Sequence, residues 1–277
     1  MITCAITGSR GVLGRKIMKN LPYKFYEFKK DIKNEKDVKK WVLKKNFDIV
    51  IHLAALVPIK SVNKNFDKAY KTNVSGTLNL INLILKKKIK PKWFFFASSS
   101  HVYGLRSNFR KISEKDTPKP QNKYGETKLL AEKLLIKKTK NSSIKLCLGR
   151  IFSFTDKNQK PPYVIPSIIK KLKSSKKKIN LNNLNNYRDF LNTRDIVKAI
   201  DVLNKKNKSG IYNIGSGHKF CLKDIAKLFS KKYKKNVFFN DSNKTSFLIS
   251  DNKKLKNLNW KPAKFNNNIN YFYKKIK

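Results

Sequence analysis

The 277 residues suffice for one large domain, or two closely joined ones, around a real hydrophobic core. No run of about 18 apolar residues occurs, the chain opens directly on a strand pattern, and Cys4, Cys147 and Cys221 show no metal-ligand spacing; these exclude a membrane span, a secretory leader and a zinc or disulfide framework as expectations, and favour a reducing, cytoplasmic setting. The formal charge of +48 is almost all lysine, spread along the chain beside many asparagines without a compact arginine-rich motif; it reads as solvated surface that draws in anionic substrates, and no nucleic-acid partner is expected.

Residues 2–6 form a short apolar run that reads as a strand. It leads into Thr7-Gly8-Ser9-Arg10-Gly11-Val12-Leu13-Gly14, and then a helical pattern with Leu13, Ile17, Met18 and Leu21 on one side. Strand, glycine turn and helix in this order suit a dinucleotide. Gly8 makes the turn, Gly11 lets the backbone approach a pyrophosphate, and Gly14 lets the helix pack close to the strand. The helix N-terminus offers unpaired N–H groups to the phosphates.

Residues 23–28 read as a short second strand, followed by Lys29, Lys30, Asp31 and Ile32. An NAD site usually has a carboxylate there for the ribose 2′-hydroxyl. Here Glu27 is followed by two lysines, and Arg10 sits inside the glycine loop; three cations favour the 2′-phosphate of NADP over NAD. Residues 35–45 read as a helix with Val38, Trp41 and Val42 inward. Residues 48–56 are a continuous apolar strand of the parallel-sheet kind, ending in Ala54 and Ala55, small enough for a ribose to approach. His52 reads as a core histidine. Residues 66–88 read as one long helix, and residues 93–98 as a strand running into Ser98-Ser99-Ser100-His101-Val102-Tyr103-Gly104. After a polar loop, Tyr124-Gly125-Glu126-Thr127-Lys128 opens a helix, and residues 144–151 are another buried strand. The alternation predicts an α/β fold with a Rossmann-type doubly wound parallel sheet.

Past Ile151 the pattern loosens. Helices are expected at 165–172, 195–203 and 222–232, a strand that returns to the sheet at 210–215, a turn at 180–186, and a final helix within 265–277. Residues 1–151, with the strand near 210–215, are expected to bind the dinucleotide. Residues 152–277 are expected to form a smaller, mixed α/β substrate domain.

Tyr124 and Lys128 lie four apart at a helix start and so share a face. A phenol is a poor base at neutral pH, but a neighbouring ammonium stabilises the phenolate and lowers its pKa. Such a tyrosine can exchange a proton with a sugar hydroxyl as hydride moves at the same carbon. Ser99 can hydrogen-bond that oxygen, and Lys128 can hold the nicotinamide ribose.

With these motifs in order, the chain resembles an extended short-chain dehydrogenase/reductase of the nucleotide-sugar epimerase/dehydratase type. The likeness runs through TGSRGVLG, DIVIHLAAL, YKTNVSGTLNLI, ASSSHVYG, YGETK, YRDFLNTRDIVKAI and GIYNIGSG. It implies catalytic roles for Ser99, Tyr124 and Lys128. It also implies cofactor contacts from Gly8, Arg10, Gly11, Val12, Leu13, Gly14, Asp31, Ile32, Leu53, Ala54, Ala55 and Asn73, to which the cation reading adds Lys29. Arg188 falls where the family places an arginine on the substrate diphosphate, and Ser99, Ser100, Tyr124 and Ser153 complete the implied substrate contacts. Ser100 and His101 replace the acidic pair of dehydratases, which counts against 4,6-dehydration and leaves His101 as an acid or base, or as a simple hydrogen-bonding group. The resemblance implies hydride transfer at C4 of a nucleotide-linked sugar. An NADPH-dependent 4-keto reductase is favoured over a redox-neutral, NAD-dependent 4-epimerase and over a non-catalytic dinucleotide binder. No metal is expected. Homodimerisation through residues 66–88 and 123–138 is implied as well.

Overall fold

The structure, a computed structural model, describes residues 1–174, 178–241 and 244–264. The first half alternates strands and helices: β1 Thr3–Thr7, α1 Val12–Asn20, β2 Lys24–Phe28, α2 Glu35–Lys44, β3 Ile49–His52, α3 Ile59–Lys64, α4 Phe66–Tyr70, α5 Gly76–Leu85, β4 Trp93–Ser99, α6 Lys123–Thr139 and β5 Lys145–Ile151. The second half holds β6 Ser153–Thr155, α7 Val164–Leu172, β7 Lys178–Asn182, β8 Asn186–Arg188, β9 Phe190–Asn192, α8 Thr193–Lys205, β10 Gly210–Ile214, β11 Phe220–Cys221, α9 Leu222–Tyr233, β12 Asn236–Asn240, β13 Ser246–Leu248 and α10 Lys253–Lys256.

Six parallel strands form one sheet in the order β10-β5-β4-β3-β1-β2, so residues 210–214 do return to it beside β5. The strands are apolar on both faces because helices cover both. One face packs Ile6, Ile51 and Phe95 against α1 and α8; the other packs Val50, Phe94 and Phe96 against α2, α5 and α6. Burying each of these phenylalanines stabilises the fold by about 2–3 kcal/mol. The strand order reverses direction between β1 and β3, and crevices at such switch points bind ligands at the carboxyl ends of strands.

The chain differs from the sequence reading in two places. The helix read over 66–88 runs without a break from Phe66 to Leu85, but a π-helical turn, Lys71–Ser75, lies within it between α4 and α5, and Asn73 on that turn is buried. Residues 180–186 are not simply a turn, since Asn180 and Asn182 lie in β7, where buried Ile179 and Leu181 alternate with exposed polar residues. The asparagines hid that alternation, and the chain turns only at Asn183, whose φ is 57°. The helix expected within 265–277 lies outside the described residues. Beyond the large sheet, β11-β8-β13 form a small sheet, while β12 pairs with β7 and β6 with β9. No described helix is long and apolar enough to cross a membrane.

Candidate active site

The glycine turn is built as its spacing predicts. Gly8 has φ of +71°, and a Cβ there would fall 2.7 Å from the Ala54 nitrogen, so the ends of β1 and β3 close on each other only with glycine. A Cβ on Gly14 would stand 2.4 Å from the Gly8 carbonyl oxygen, which fixes α1 against the turn. Gly8→Val is therefore expected to abolish dinucleotide binding and to lower the melting temperature; calorimetry and NADPH fluorescence titration would measure both.

Gly11 precedes α1 without a side-chain cap, leaving the backbone N–H groups of Val12 and Leu13 in its first turn. The Leu13 side chain itself is in the core. Ser9 Oγ is buried and has no hydrogen-bond partner among the described residues. An uncapped helix start, a side-chain-free turn and an orphaned hydroxyl fit a dinucleotide. Sequence reasoning passed over Ser9.

At the rim, Lys29 pairs with Glu27 at 3.4 Å, Lys30 with Asp37 at 2.7 Å, and Lys33 with Asp31 at 3.3 Å. The three expected cations thus reduce to one. Arg10 is exposed and has no ion pair among the described residues. Ile32 is 4% exposed and packs on Gly76, so its side chain supports the rim from beneath.

Two buried networks fix the carboxyl ends of β1 and β3 and the loop that follows β3. His52 is a core histidine: Nδ1 is 2.6 Å from Thr7 Oγ1 and Nε2 is 2.8 Å from Thr77 Oγ1. Thr77 donates to the Asn73 carbonyl and Thr7 accepts from Ala54 N–H, so Nε2 carries the proton. Asn73 spans the β3 loop and α6. Its Oδ1 accepts from Leu56 N–H at 2.7 Å, and its Nδ2 donates to the Leu56 carbonyl and to Thr127 Oγ1, both at 3.1 Å. Both amide hydrogens are thus spent inside the protein, which makes Asn73 a brace beneath the loop that carries Leu53, Ala54 and Ala55.

Ser99 ends β4, where its Oγ accepts from His101 N–H and caps a short 3₁₀ turn, Ser100–Val102. Ser100 is 2% exposed and offers the cleft little surface. Tyr124 and Lys128 stand in the first turns of α6, which Asn122 caps through Gly125 N–H. Both are buried, and the Lys128 Nζ lies 4.0 Å from the centroid of the Phe96 ring. Burial pushes the Tyr124 phenol up, and the Ser99 hydroxyl pulls it partly back. Burial lowers Lys128 to about 7, while Glu132 acts in the opposite sense. The sequence reading had the Lys128 ammonium lowering the Tyr124 pKa; in the structure desolvation dominates both groups. Tyr124 is therefore a neutral phenol, a proton donor at pH 7.

The shift on Lys128 has a signed consequence. Between about 7 and the ordinary 10.5, the unfolded chain binds the proton that the folded chain releases, so stability rises with pH across that window. Chemical denaturation of the dinucleotide-free protein from pH 7 to 10 is expected to show this rise, reduced in Lys128→Met.

His101 touches the same place, its ring centroid 5.8 Å from that of Tyr124 and nearly edge-on. Its Nδ1 accepts from Asn122 Nδ2 at 3.1 Å. Burial and the Arg188 charge lower it to about 4, so it is neutral near pH 7 and can donate only through Nε2–H. Arg188 of β8 is held by the carbonyls of Tyr187 and Ser246 and by Ser246 Oγ, at 2.8, 3.0 and 3.0 Å. It has no carboxylate partner among the described residues; burial lowers it to about 10, and it remains charged at pH 7. Ser153 lies at the start of β6, half-buried and level with Phe190 of β9. Tyr163, which precedes α7, lies near enough to act on the Tyr124 phenol. Neither Tyr163 nor Ser246 carries a motif, and only the packing brings them to the cleft.

A glycine-cradled crevice at a sheet switch point, with a Ser, a Tyr-x-x-x-Lys pair and a cation beyond, defines a dinucleotide-dependent oxidoreductase fold of the short-chain type. A family model described as GDP-mannose 4,6 dehydratase matches residues 12–270. The dTDP-D-glucose 4,6-dehydratase of Dictyostelium discoideum is 30% identical over 222 residues, covering 76% of this chain and 50% of that protein. The UDP-glucose 4-epimerase of Lactobacillus helveticus is 31% identical over 225 residues, covering 73% and 66%. The chain thus spans about half to two-thirds of the length of these curated relatives. In fold it is similar to RMD from Pseudomonas aeruginosa complexed with NADPH, with a TM-score of 0.86 at 20% identity over 96% of this chain and 95% of that one. The chain belongs to the extended short-chain dehydrogenase/reductase family of nucleotide-sugar epimerases, dehydratases and reductases.

Proposed function

We propose that the protein is an NADPH-dependent reductase of a 4-keto, nucleotide-linked sugar. The observation that carries this reading is the ion pairing at the ribose rim. Glu27 and Asp31, the carboxylates available to a 2′-hydroxyl, each pair with a lysine, and Arg10 has no ion pair among the described residues. Solved structures of this fold hold NADPH in one case and NAD in others, so the choice between them rests on the rim. When bound, NADPH supplies the hydride that adds to C4. Tyr124 gives its phenolic proton to the C4 oxygen, so the carbonyl becomes an alcohol. Ser99 hydrogen-bonds that oxygen, Lys128 holds the ribose, and Arg188, braced by Ser246, holds the diphosphate. His101 donates through Nε2–H to a sugar oxygen, and His101→Asn is expected to lower kcat/KM by about tenfold without moving its pH profile. The absence of an acidic residue at Ser100 and His101 argues against dehydration.

The competing reading is a redox-neutral 4-epimerase with retained NAD, favoured by the 31% identity to a UDP-glucose 4-epimerase. Denaturing the purified protein and identifying any released dinucleotide separates the two. The reductase reading expects an empty site that prefers NADPH over NADH. Arg10→Ala is expected to erase about tenfold of that preference, the worth of one charge-assisted phosphate contact. Released NAD would sink it.

In this reading residues 1–151 with 210–215 hold the dinucleotide, residues 152–277 hold the sugar nucleotide, and the setting is the cytoplasm. We further propose a homodimer through α5 and α6. A groove of about 370 Å³ beside them is lined by Tyr70, Leu78, Leu83 and Leu134, and the Asn79 Nδ2 in it is buried with no hydrogen-bond partner among the described residues. Sedimentation at moderate salt that showed only monomer would overturn the dimer.

A further inference from the structure

Glu132 follows Lys128 by four positions on α6, so the two side chains share a helix face. They are 1% and 2% exposed. Lysine and glutamate at this spacing readily pair. Glu132 is instead gripped by Arg150 of β5. Arg150 Nε lies 3.0 and 3.3 Å from the two carboxylate oxygens, and Nη2 lies 2.7 Å from one of them. The grip is rigid: the guanidinium stacks 4.6 Å from the centroid of the Tyr103 ring, and Arg150 is in register with Ser98, beside the site. Lys128 is left over the face of Phe96.

We propose that Arg150 is a positioning residue for Lys128: its two-point hold on Glu132 keeps that carboxylate from capturing the Lys128 ammonium and drawing it away from Tyr124. The proposal rests on the reading of Tyr124 and Lys128 as the reacting pair. The titratable groups around Lys128 are Tyr124 and Glu132 on its own helix and His52 on β3, with Arg150 of β5 behind Glu132. His52 is neutral, because burial and the Lys128 charge lower it to about 3. Glu132 is therefore the group able to hold Lys128 elsewhere, and Arg150 decides whether it does. A buried pair of this kind adds little to stability over apolar side chains, so its use here is the placement of charge.

The test is a coupled pair of substitutions. Arg150→Met is expected to lower kcat about 100-fold with little change in the sugar KM. It is also expected to raise by about one unit or more the pH above which NADPH affinity falls, since Lys128 now shares its proton with a carboxylate. Adding Glu132→Gln removes the captor. The double variant is expected to regain kcat to within about fivefold and to return the pH break to its original place. A merely structural role also predicts recovery in the double variant, because Glu132→Gln removes the stranded carboxylate, but it leaves the pH break unmoved in both folded variants. Should Arg150→Met not fold, Arg150→Lys, with a one-point hold, is read instead, and its pH break is expected to move part of the way. No movement of the break in the folded variant, or no recovery in the double variant, overturns the proposal. The underlying reading fails separately, if Tyr124→Phe and Lys128→Met turn over at the full rate.

Discussion

Tyr124→Phe is expected to slow reduction of a 4-keto nucleotide sugar by about 10³-fold, while NADPH binds within about twofold of its original affinity. The phenol is fully enclosed, and its environment keeps it protonated. Its single function in the proposed reaction is to give that proton to the C4 oxygen. Phenylalanine fills the same space beside His101 and leaves the glycine turn, Arg10 and Lys128 untouched, so binding and chemistry separate. Water is a poor replacement donor in a cleft where Tyr124 is 7% exposed. Pre-steady-state loss of NADPH absorbance gives the rate, and fluorescence titration gives the affinity. A protein that lost cofactor affinity alone would be a dinucleotide binder and not a reductase.

Asp189→Ala is expected to have the largest effect on stability, about 3–5 kcal/mol, a large share of what holds a domain folded. Asp189 is 0% exposed, and its carboxylate accepts five hydrogen bonds: from Ser216 N–H and Oγ, Gly217 N–H, and Ser250 N–H and Oγ. These come from the loop after β10 and from the segment after β13, so one side chain ties the large sheet to the small one. Arg188 precedes it in the chain, and its carbonyl contacts on β8 and β13 depend on the same tie. Removing the carboxylate leaves buried donors unpaired and lets the strand carrying Arg188 shift. Urea unfolding would measure the first effect, and the KM for the sugar nucleotide the second. Asp189→Asn keeps one acceptor oxygen and is expected to fall between.

Much of the dinucleotide half was legible from residue order. Glycine at positions 8 and 14 has a steric reason that sequence context alone conveys, and a buried parallel strand announces itself as an unbroken apolar run. The Tyr124–Lys128 spacing fixes their common helix face wherever the helix lies. The second half was less legible. Its strands are short: β7 alternates apolar residues with asparagine and lysine, and β12 is three apolar residues between two asparagines, so turn-forming and surface residue types hide the strands.

By itself, then, the sequence determined the glycine turn, the alternation of strand and helix, and the helix face that Tyr124 and Lys128 share. Each depends on near neighbours in the chain, and local sterics and periodicity act there. Only the tertiary structure decided which charges are free. Lys29 and Lys30 are paired while Arg10 has no ion pair among the described residues, His101 and Lys128 lose basicity to burial, and Glu132 goes to Arg150 instead of its helical neighbour. Those outcomes depend on distance and desolvation between residues far apart in the chain, and no pattern along the chain encodes them.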